Sequence, residues 1–179
     1  MSLHNVGPGA LAPEQFNVII EIPMNADPIK YEVDEATGAL FVDRFMATSM
    51  HYPCNYGYVP QTLADDGDPV DVLVITPVPL ISGVVVTCRP LGVLQMQDEA
   101  GGDNKLLAVP IDKVLQLYTQ WHSHEDLNPL RLKTIQHFFE HYKDLEPGKW
   151  VKVLGWQGPD TARDEVQAGM AAWAAKLRS

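Results

Sequence analysis

The sequence predicts an α+β fold that is mainly β, an antiparallel β-barrel followed by two helices in the C-terminal half. Three observations support this prediction. Short apolar runs rich in β-branched residues fill the first two thirds of the 179 residues. Turn residues such as Asn25, Gly38 and Gly101 separate these runs closely, which leaves no room for the crossover helices of a parallel sheet. Patterns with a helical period come only after residue 127.

The early strands are placed by their apolar residues and by the turns that bound them. Side chains alternate between the two faces of a strand. In the first strand, Phe16, Val18, Ile20 and Ile22 are therefore expected on one face and Glu21 on the other. The predicted strands are FNVIIEI at 16–22, IKYEV at 29–33, ALFVDRF at 39–45, VDVLVIT at 70–76, VVVTCRPLGVLQM at 84–96 and KLLAVP at 105–110.

Two helices and one further strand follow. Asn128 can cap the first helix with Pro129 at its first helical position, and Pro147-Gly148 closes the helical pattern. KWVKVLGW at 149–156 predicts another strand. The last pattern, at 160–178, carries an apolar stripe at helical spacing and predicts a terminal helix.

Length and composition predict one globular domain over residues 1–179. Hydrophobic residues make up 46% of the chain and charged residues 20%, which is sufficient for an ordinary core. Residues 1–14 show neither the alternation of a strand nor the spacing of a helix, and they are expected to form an extended N-terminal arm. No basic segment followed by an apolar stretch marks a signal peptide, and no apolar run approaches the roughly 18 residues of a membrane helix. A cytoplasmic protein without a membrane partner is therefore expected.

The charge and the cysteines exclude two further classes. The formal net charge is −10, and nucleic-acid affinity depends on Lys and Arg that neutralise phosphates, so no nucleic-acid partner is expected. Cys54 and Cys88 are the two cysteines, and they lack the CxxC spacing of many metal and redox sites. They are predicted to be buried thiols rather than a disulfide or a nucleophile.

An aspartate cluster stands out in DDGDPVDVLV at 65–74. Asp66, Asp68 and Asp71 lie at the start of a strand, where several carboxylates held close together raise one another's proton affinity unless a cation joins them. Mg²⁺ prefers oxygen ligands in octahedral geometry, and the stretch contains no soft ligand set for zinc. The cluster therefore predicts a site for hard divalent cations.

A second acidic turn and a set of anion-binding side chains accompany this cluster. Asp98 and Asp103 lie between two predicted strands, so the two acidic loops could hold several metals side by side. Lys and Arg bind phosphate as a point charge or bidentately, and tyrosine hydroxyls donate hydrogen bonds. Together these residues indicate a small, highly anionic substrate that binds with Mg²⁺. The candidate anion-binding residues are Lys30, Arg44, Lys105, Lys143, Tyr52, Tyr56 and Tyr142.

The motif DGDPVDV at 66–72 closely resembles the signature of the family I soluble inorganic pyrophosphatases of bacterial type, without a departure. The likeness runs from about residue 4 to about residue 156 and is looser at 118–132 and in the terminal helix. The neighbouring segments that carry it are EIPMNADPIKYEVDEATGALFVDRFM, YPCNYGYVP, RPLGVLQMQDEAGGDNKLLAVP and HFFEHYKDLEPGKWVKV.

This resemblance implies an OB-like five-stranded barrel, a homohexamer, and Mg²⁺-dependent hydrolysis of diphosphate to two phosphates, with Mn²⁺, Zn²⁺ or Co²⁺ as possible substitutes. The attacking water would bridge divalent cations held by aspartates, with Asp68 as its general base. The implied catalytic residues are Asp68, Tyr56 and Arg44. The implied substrate-binding residues are Lys30, Arg44, Lys105, Tyr142, Lys143, Glu32 and Tyr52. The implied metal ligands are Asp66, Asp71, Asp103, Asp98 and Glu21.

Two alternatives remain beside this interpretation. A metal-binding module of OB type without hydrolase activity would use the same aspartates. His137 and His141, in HFFEH, match the HxxEH pattern of a zinc metalloprotease, with both histidines on one helical face. An EF-hand is excluded because its sixth and twelfth positions hold Asp71 and Pro77, and a P-loop is excluded because Trp150 follows the Gly-Lys pair.

Overall fold

The computed structural model describes residues 3–34 and 36–178. The strands are β1 Phe16–Ile22, β2 Ile29–Val33, β3 Leu40–Phe45, β4 Asn55–Val59, β5 Val70–Val74, β6 Val85–Asp98, β7 Gly101–Gly102, β8 Lys105–Pro110 and β9 Val151–Gln157. The α-helices are α1 Pro129–His141 and α2 Pro159–Lys176. The predicted strands and the predicted terminal helix agree with these bounds to within two residues. The first helix ends at His141, earlier than the Pro147-Gly148 pair that closes its sequence pattern, and residues 142–145 form turns. In this part of the chain no helix is both long and apolar enough to cross a membrane.

Five strands close into a ring in the order β1-β4-β5-β8-β6, and β6 returns to pair with β1. The mainly β, OB-like fold class is confirmed, but the expectation of a purely antiparallel barrel is wrong. β5 and β8 are parallel, with Val72 opposite Leu106. A ring with an odd number of strands cannot alternate direction all the way round, so at least one neighbouring pair must be parallel. The long strand β6 continues beyond the ring and pairs with β7 and β9.

Two apolar clusters lie on the two faces of the ring. All five ring strands contribute to both clusters, and Ala162 and Val166 of α2 join the first, on the inner face. The second cluster lies on the outer face, where Leu73 of β5 packs with Phe138 and Phe139 of α1. Because side chains alternate along a strand, every second residue of β5 and β8 faces outward, and the apolar ones pack in the cluster that α1 joins.

The face predicted for Ile22 is wrong. Phe16, Val18 and Ile20 belong to the interior cluster, whereas Ile22 belongs to the outer one. The register of β1 against β4 shifts between Ile20 and Ile22, and such an irregularity interrupts the alternation of faces. A prediction that assumes strict alternation of side chains between the two faces of a strand cannot detect this shift.

Strand β4 was missed because its sequence, NYGYV, carries few β-branched residues. Asn55 is fully buried and behaves as part of the backbone network: its Oδ1 accepts from Met24 N and Leu80 N, and its Nδ2 donates to Val74 O and Thr76 Oγ1. These four hydrogen bonds, between 2.7 and 3.0 Å, connect segments far apart in sequence. Tertiary contacts therefore decide that this segment is a strand.

The N-terminal segment differs from the extended arm expected over residues 1–14, of which residues 1 and 2 lie outside the described part. Leu3–Asn5 form a 3-10 helix, and residues 10–14 form turns. Asn17 anchors the segment, since its Nδ2 donates to Gly7 O at 3.0 Å and its N–H donates to Pro8 O at 2.8 Å. These local hydrogen bonds replace those that an extended chain would have made with water.

Candidate active site

An open cavity of about 420 Å³ lies on the outer face of the ring. The β2–β3 hairpin, the start of β5, the β6–β8 region and the segment after α1 surround it. Nine carboxylate and five cationic side chains line the cavity. All fourteen side chains singled out from the sequence are among its lining residues: Glu21, Lys30, Glu32, Arg44, Tyr52, Tyr56, Asp66, Asp68, Asp71, Asp98, Asp103, Lys105, Tyr142 and Lys143.

A buried ammonium lies at the base of the cavity. The Lys105 side chain is only 4% exposed, and its Nζ lies 2.5 Å from Asp71 Oδ2 and 2.5 Å from Asp103 Oδ1. The Tyr56 hydroxyl hydrogen-bonds the Asp71 carboxylate, and Lys105 Nζ lies 5.6 Å from the Tyr56 ring centroid. Burial opposes the charge on Lys105, but Asp71 and Asp103 outweigh it and hold its pKa well above the ordinary value.

Asp66 and Asp68 occupy a tight loop at the rim. Gly67 has φ of 90°, which a residue with a Cβ adopts only with strain, and this turn brings the two aspartates together. The Asp68 N–H donates to Asp66 Oδ1 at 3.0 Å. Partial burial raises the pKa of both carboxyl groups, and the Asp71 carboxylate adds to the shift at Asp68. Asp68 thus has a higher proton affinity than an ordinary aspartate.

Glu21 is a further carboxyl group of the cavity. It is buried beside the shift in β1, and its Oε1 accepts a hydrogen bond from Val33 N at 2.8 Å. Burial raises the pKa of Glu21 to about 8; the Val33 N–H opposes this shift, and the Asp71 and Glu32 carboxylates add to it. A nearby cation would favour the ionised form of this side chain.

Carboxylates also pair with the cations at the rim. Lys143 Nζ lies 2.7 Å from Asp98 Oδ2, and although partial burial acts against it, this contact lowers the pKa of Asp98 below its usual value. Lys30 contacts Glu32, which lies on the same strand. Arg44 NH1 lies 3.3 Å from Glu146 Oε2, a residue that follows α1.

Three charged residues of the lining were missed by the sequence prediction. Glu99 and Lys149 form a 2.7 Å ion pair, and Glu146 pairs with Arg44. They lie outside the observed strands, where alternation gives no information about side-chain direction, although Lys149 is the first residue of the strand predicted at 149–156. Their place in the charged segments QMQDEAGG and KDLEPGK was the available signal.

The oxygen-rich donor set fits hard divalent cations such as Mg²⁺. Asp66, Asp71 and Asp103 all line the cavity, and they offer carboxylate oxygens only. Within residues 3–34 and 36–178, no three acidic, histidine or cysteine side chains are close enough together to enclose an ion. Asp71 and Asp103 instead share the Lys105 ammonium.

The polar residues of HFFEH, His137, Glu140 and His141, lie on α1 and do not line the cavity, whereas Phe139 of the same segment does. The rings of His137 and His141 are neighbours, with centroids 4.7 Å apart. His141 Nδ1 is 2.8 Å from Asp144 Oδ2, and Glu140 accepts a hydrogen bond from Gln136 Nε2 at 2.8 Å. The glutamate that a protease would need as a general base is therefore directed to a neighbouring amide.

The fold and the cavity together define a class of protein. It is an OB-like barrel whose outer face combines many carboxylates with separate lysine and arginine side chains, an arrangement suited to binding a small polyanion together with cations.

Comparison with known proteins identifies the family. Residues 18–174 match the family model described as inorganic pyrophosphatase. The chain is 60% identical over 168 residues to the inorganic pyrophosphatase of Escherichia coli strain K12, covering 94% of this chain and 96% of that one. It is 54% identical over 175 residues to that of Rhodospirillum rubrum, covering 98% of each. The solved structure of an inorganic pyrophosphatase from Coxiella burnetii has a TM-score of 0.91 at 54% identity, covering 94% of this chain and 99% of that one. The chain belongs to the inorganic pyrophosphatase family, in its bacterial family I form.

Proposed function

We propose that this protein hydrolyses inorganic diphosphate to two orthophosphates in a reaction that depends on Mg²⁺. Family membership supports the reaction, and one observation carries the assignment of the site. The same cavity presents nine carboxylates and five cationic side chains, with the Lys105 ammonium between Asp71 and Asp103 at its base. Carboxylates alone would repel diphosphate and cations alone would repel the metals, whereas this mixture accommodates both.

Several cations per site would be held by the carboxylates. We assign Asp66, Asp71 and Asp103 to the activating ions and Glu21 and Asp98, with Asp103, to those that accompany the substrate. Bound divalent ions neutralise the charge on diphosphate and lower the pKa of a coordinated water toward about 7. Mn²⁺, Zn²⁺ or Co²⁺ would serve as substitutes, because all of them accept carboxylate ligands.

The phosphoryl oxygens would be bound by the cations and hydroxyls of the wall. The residues assigned to this role are Lys30, Arg44, Lys105, Tyr142 and Lys143. Lys30, Arg44 and Lys143 each have a carboxylate partner in the structure, so diphosphate would compete with that carboxylate for the cation. Glu32 would hold Lys30 toward the cavity, and the buried Tyr52, which packs on Phe138, would support the wall.

Asp68 is assigned as the general base that accepts the proton of the attacking water. It lies at the rim, its pKa is raised, and its side chain accepts none of the described hydrogen bonds. Tyr56 would orient Asp71 through its hydroxyl, and Arg44 would stabilise charge on the leaving phosphate. A base with raised proton affinity close to substrate is the arrangement that general base catalysis requires.

The test measures phosphate release from diphosphate in millimolar Mg²⁺ and again in excess EDTA, with ATP and a peptide in parallel. We expect release from diphosphate alone and its loss in EDTA. D68N should lower turnover by at least about 10², the lower scale for a general base. D65N removes the same charge three residues earlier, from a side chain that does not line the cavity, and should leave turnover unchanged. Near-normal turnover of D68N would remove Asp68 from this role, and no release by the wild type in Mg²⁺ or Mn²⁺ would favour a metal-binding module without hydrolase activity.

We also propose that the single domain of residues 1–179 forms a cytoplasmic homohexamer, as the family resemblance implies. Phe45 is 76% exposed and Ile81 is 75% exposed, and subunit contacts would cover such apolar surface. Sedimentation velocity should report a particle of six 19.8 kDa chains. A monomer at micromolar concentration would contradict the assembly but not the activity.

A further inference from the structure

We propose that α2 is a positioning element for the metal site, which fixes the two acidic segments relative to each other through Glu165 and Gly169. This inference rests on the proposed function, since it concerns the carboxylates assigned to the metals. One anchor supports the segment that carries Asp103 and Lys105, and the other supports the segment that leads to Asp66. Neither Glu165 nor Gly169 lines the cavity.

The first anchor is a side-chain bridge made by Asn104, which lies between Asp103 and Lys105. Its Oδ1 accepts from Met96 N at 3.1 Å, and its Nδ2 donates to Glu165 Oε1 at 2.7 Å. The Asp103 N–H in turn donates to Met96 O at 2.9 Å. The bend between β7 and β8 is thereby attached to β6 on one side and to α2 on the other. Asn104 and Glu165 are both partly buried, which protects the bridge from competition by water.

The second anchor is a close backbone approach at Gly169. Leu63 N donates to Gly169 O at 3.0 Å. A Cβ on Gly169 would lie 2.7 Å from Val70 Cγ2 and 3.0 Å from Thr62 Cβ, so only glycine allows the helix to come this close. Thr62 Oγ1 accepts from Val70 N at 3.0 Å, which closes the base of the loop that holds the aspartates. The helix therefore contacts both ends of the segment between Thr62 and Val70.

The two anchors lie four residues apart and thus on the same face of one helix. A helix is rigid over this distance, so the separation of the two acidic segments is set by α2. Such support matters because the carboxylates of the two segments repel each other without a bound cation. Residues that hold metal ligands in place commonly change metal affinity by 10- to 100-fold when they are altered.

The experiment measures Mn²⁺ binding to the metal-free protein by electron paramagnetic resonance, without substrate, beside KM and kcat for diphosphate. E165A should raise the Mn²⁺ dissociation constant about tenfold or more. E165Q keeps an oxygen acceptor for Asn104 and should retain wild-type affinity. D164A removes the same charge from the adjacent, exposed residue of α2 and serves as the matched control. Circular dichroism reports whether each variant is folded.

If E165A fails to fold, a swapped pair, in which the amide of Asn104 and the carboxylate of Glu165 exchange places, keeps the test decisive. N104D places a carboxylate against Glu165 and should weaken Mn²⁺ binding, although the added negative charge alone would favour a cation. N104D/E165Q restores a hydrogen bond, with the new amide as donor, and should recover the wild-type affinity. Equal Mn²⁺ affinity in E165A and D164A, or a swapped pair as weak as N104D, would overturn the inference. A wild-type protein that binds no Mn²⁺ would instead refute the metal assignment of the proposed function.

Discussion

Replacement of Lys105 by methionine tests the base of the cavity most directly. The K105M side chain keeps a similar length and apolar stem but removes the ammonium that lies 2.5 Å from both Asp71 and Asp103. The two carboxylates would then face each other without the charge that holds them together. The metal-free protein should therefore lose stability, and divalent cations should restore part of it.

The magnitude follows from the burial of this ammonium. Its side chain is 4% exposed, so water screens the contacts little. Removal of one partner from a buried ion pair typically costs about 3–5 kcal/mol, because the remaining charge is left uncompensated. Mg²⁺ is expected to bind only the folded state. At a concentration 100 times its dissociation constant it would raise the free energy of unfolding of K105M by about 2.7 kcal/mol. Relative to the wild type in EDTA, we thus expect K105M to be about 3–5 kcal/mol less stable in EDTA and to recover about half of this loss or more in saturating Mg²⁺.

Urea unfolding followed by tryptophan fluorescence measures both values, in EDTA and in Mg²⁺. K152M changes an exposed lysine of β9 in the same way and is the control, with no expected change in the free energy of unfolding. A K105M protein as stable as the wild type in EDTA would refute the reasoning. It would mean that Asp71 and Asp103 are protonated or separated in solution, so that the ammonium compensates no charge.

Three further predictions concern the scaffold. N55A leaves one buried and one partly buried backbone N–H group, of Met24 and Leu80, without their acceptor. It should lower the free energy of unfolding, measured in urea, by about 2–4 kcal/mol, and wild-type stability would show that water replaces the amide. G57A places a Cβ 2.0 Å from a carbonyl oxygen of β1 and should lower the free energy of unfolding by about 3 kcal/mol. G102A is the control, because its Cβ would lie in open space, and it should lower the free energy of unfolding far less. Equal losses in the two variants would contradict the clash. Burial raises the pKa of Cys54 to about 12 and that of Cys88 also above its ordinary value. Ellman's reagent at pH 8 should therefore label neither thiol until urea is added. Rapid labelling of the native protein would contradict the burial of the two thiols.

The sequence was sufficient for those parts of the protein in which neighbouring residues carry the information. Strands such as Phe16–Ile22 and the helix that begins after Asn128 follow from local alternation, helical spacing and capping, and they are observed where predicted. The site was also identifiable, because DGDPVDV places three aspartates within six residues and the family resemblance extends the set. All fourteen side chains named in this way line one cavity.

Tertiary structure decided what depends on residues far apart in the chain. The parallel β5–β8 pair follows from closure of an odd-numbered ring, and β4 exists because Asn55 satisfies backbone groups of three distant segments. The register shift in β1 places Ile22 on the outer face, and strict alternation of side chains along the sequence could not predict this. The contact of Lys105 with Asp71, 34 residues away, and that of Asn104 with Glu165, 61 residues away, likewise exist only after folding. Local sequence specifies which groups are available, whereas the closure of the barrel determines which of them meet, because only the folded chain brings distant charges within a few ångströms of each other.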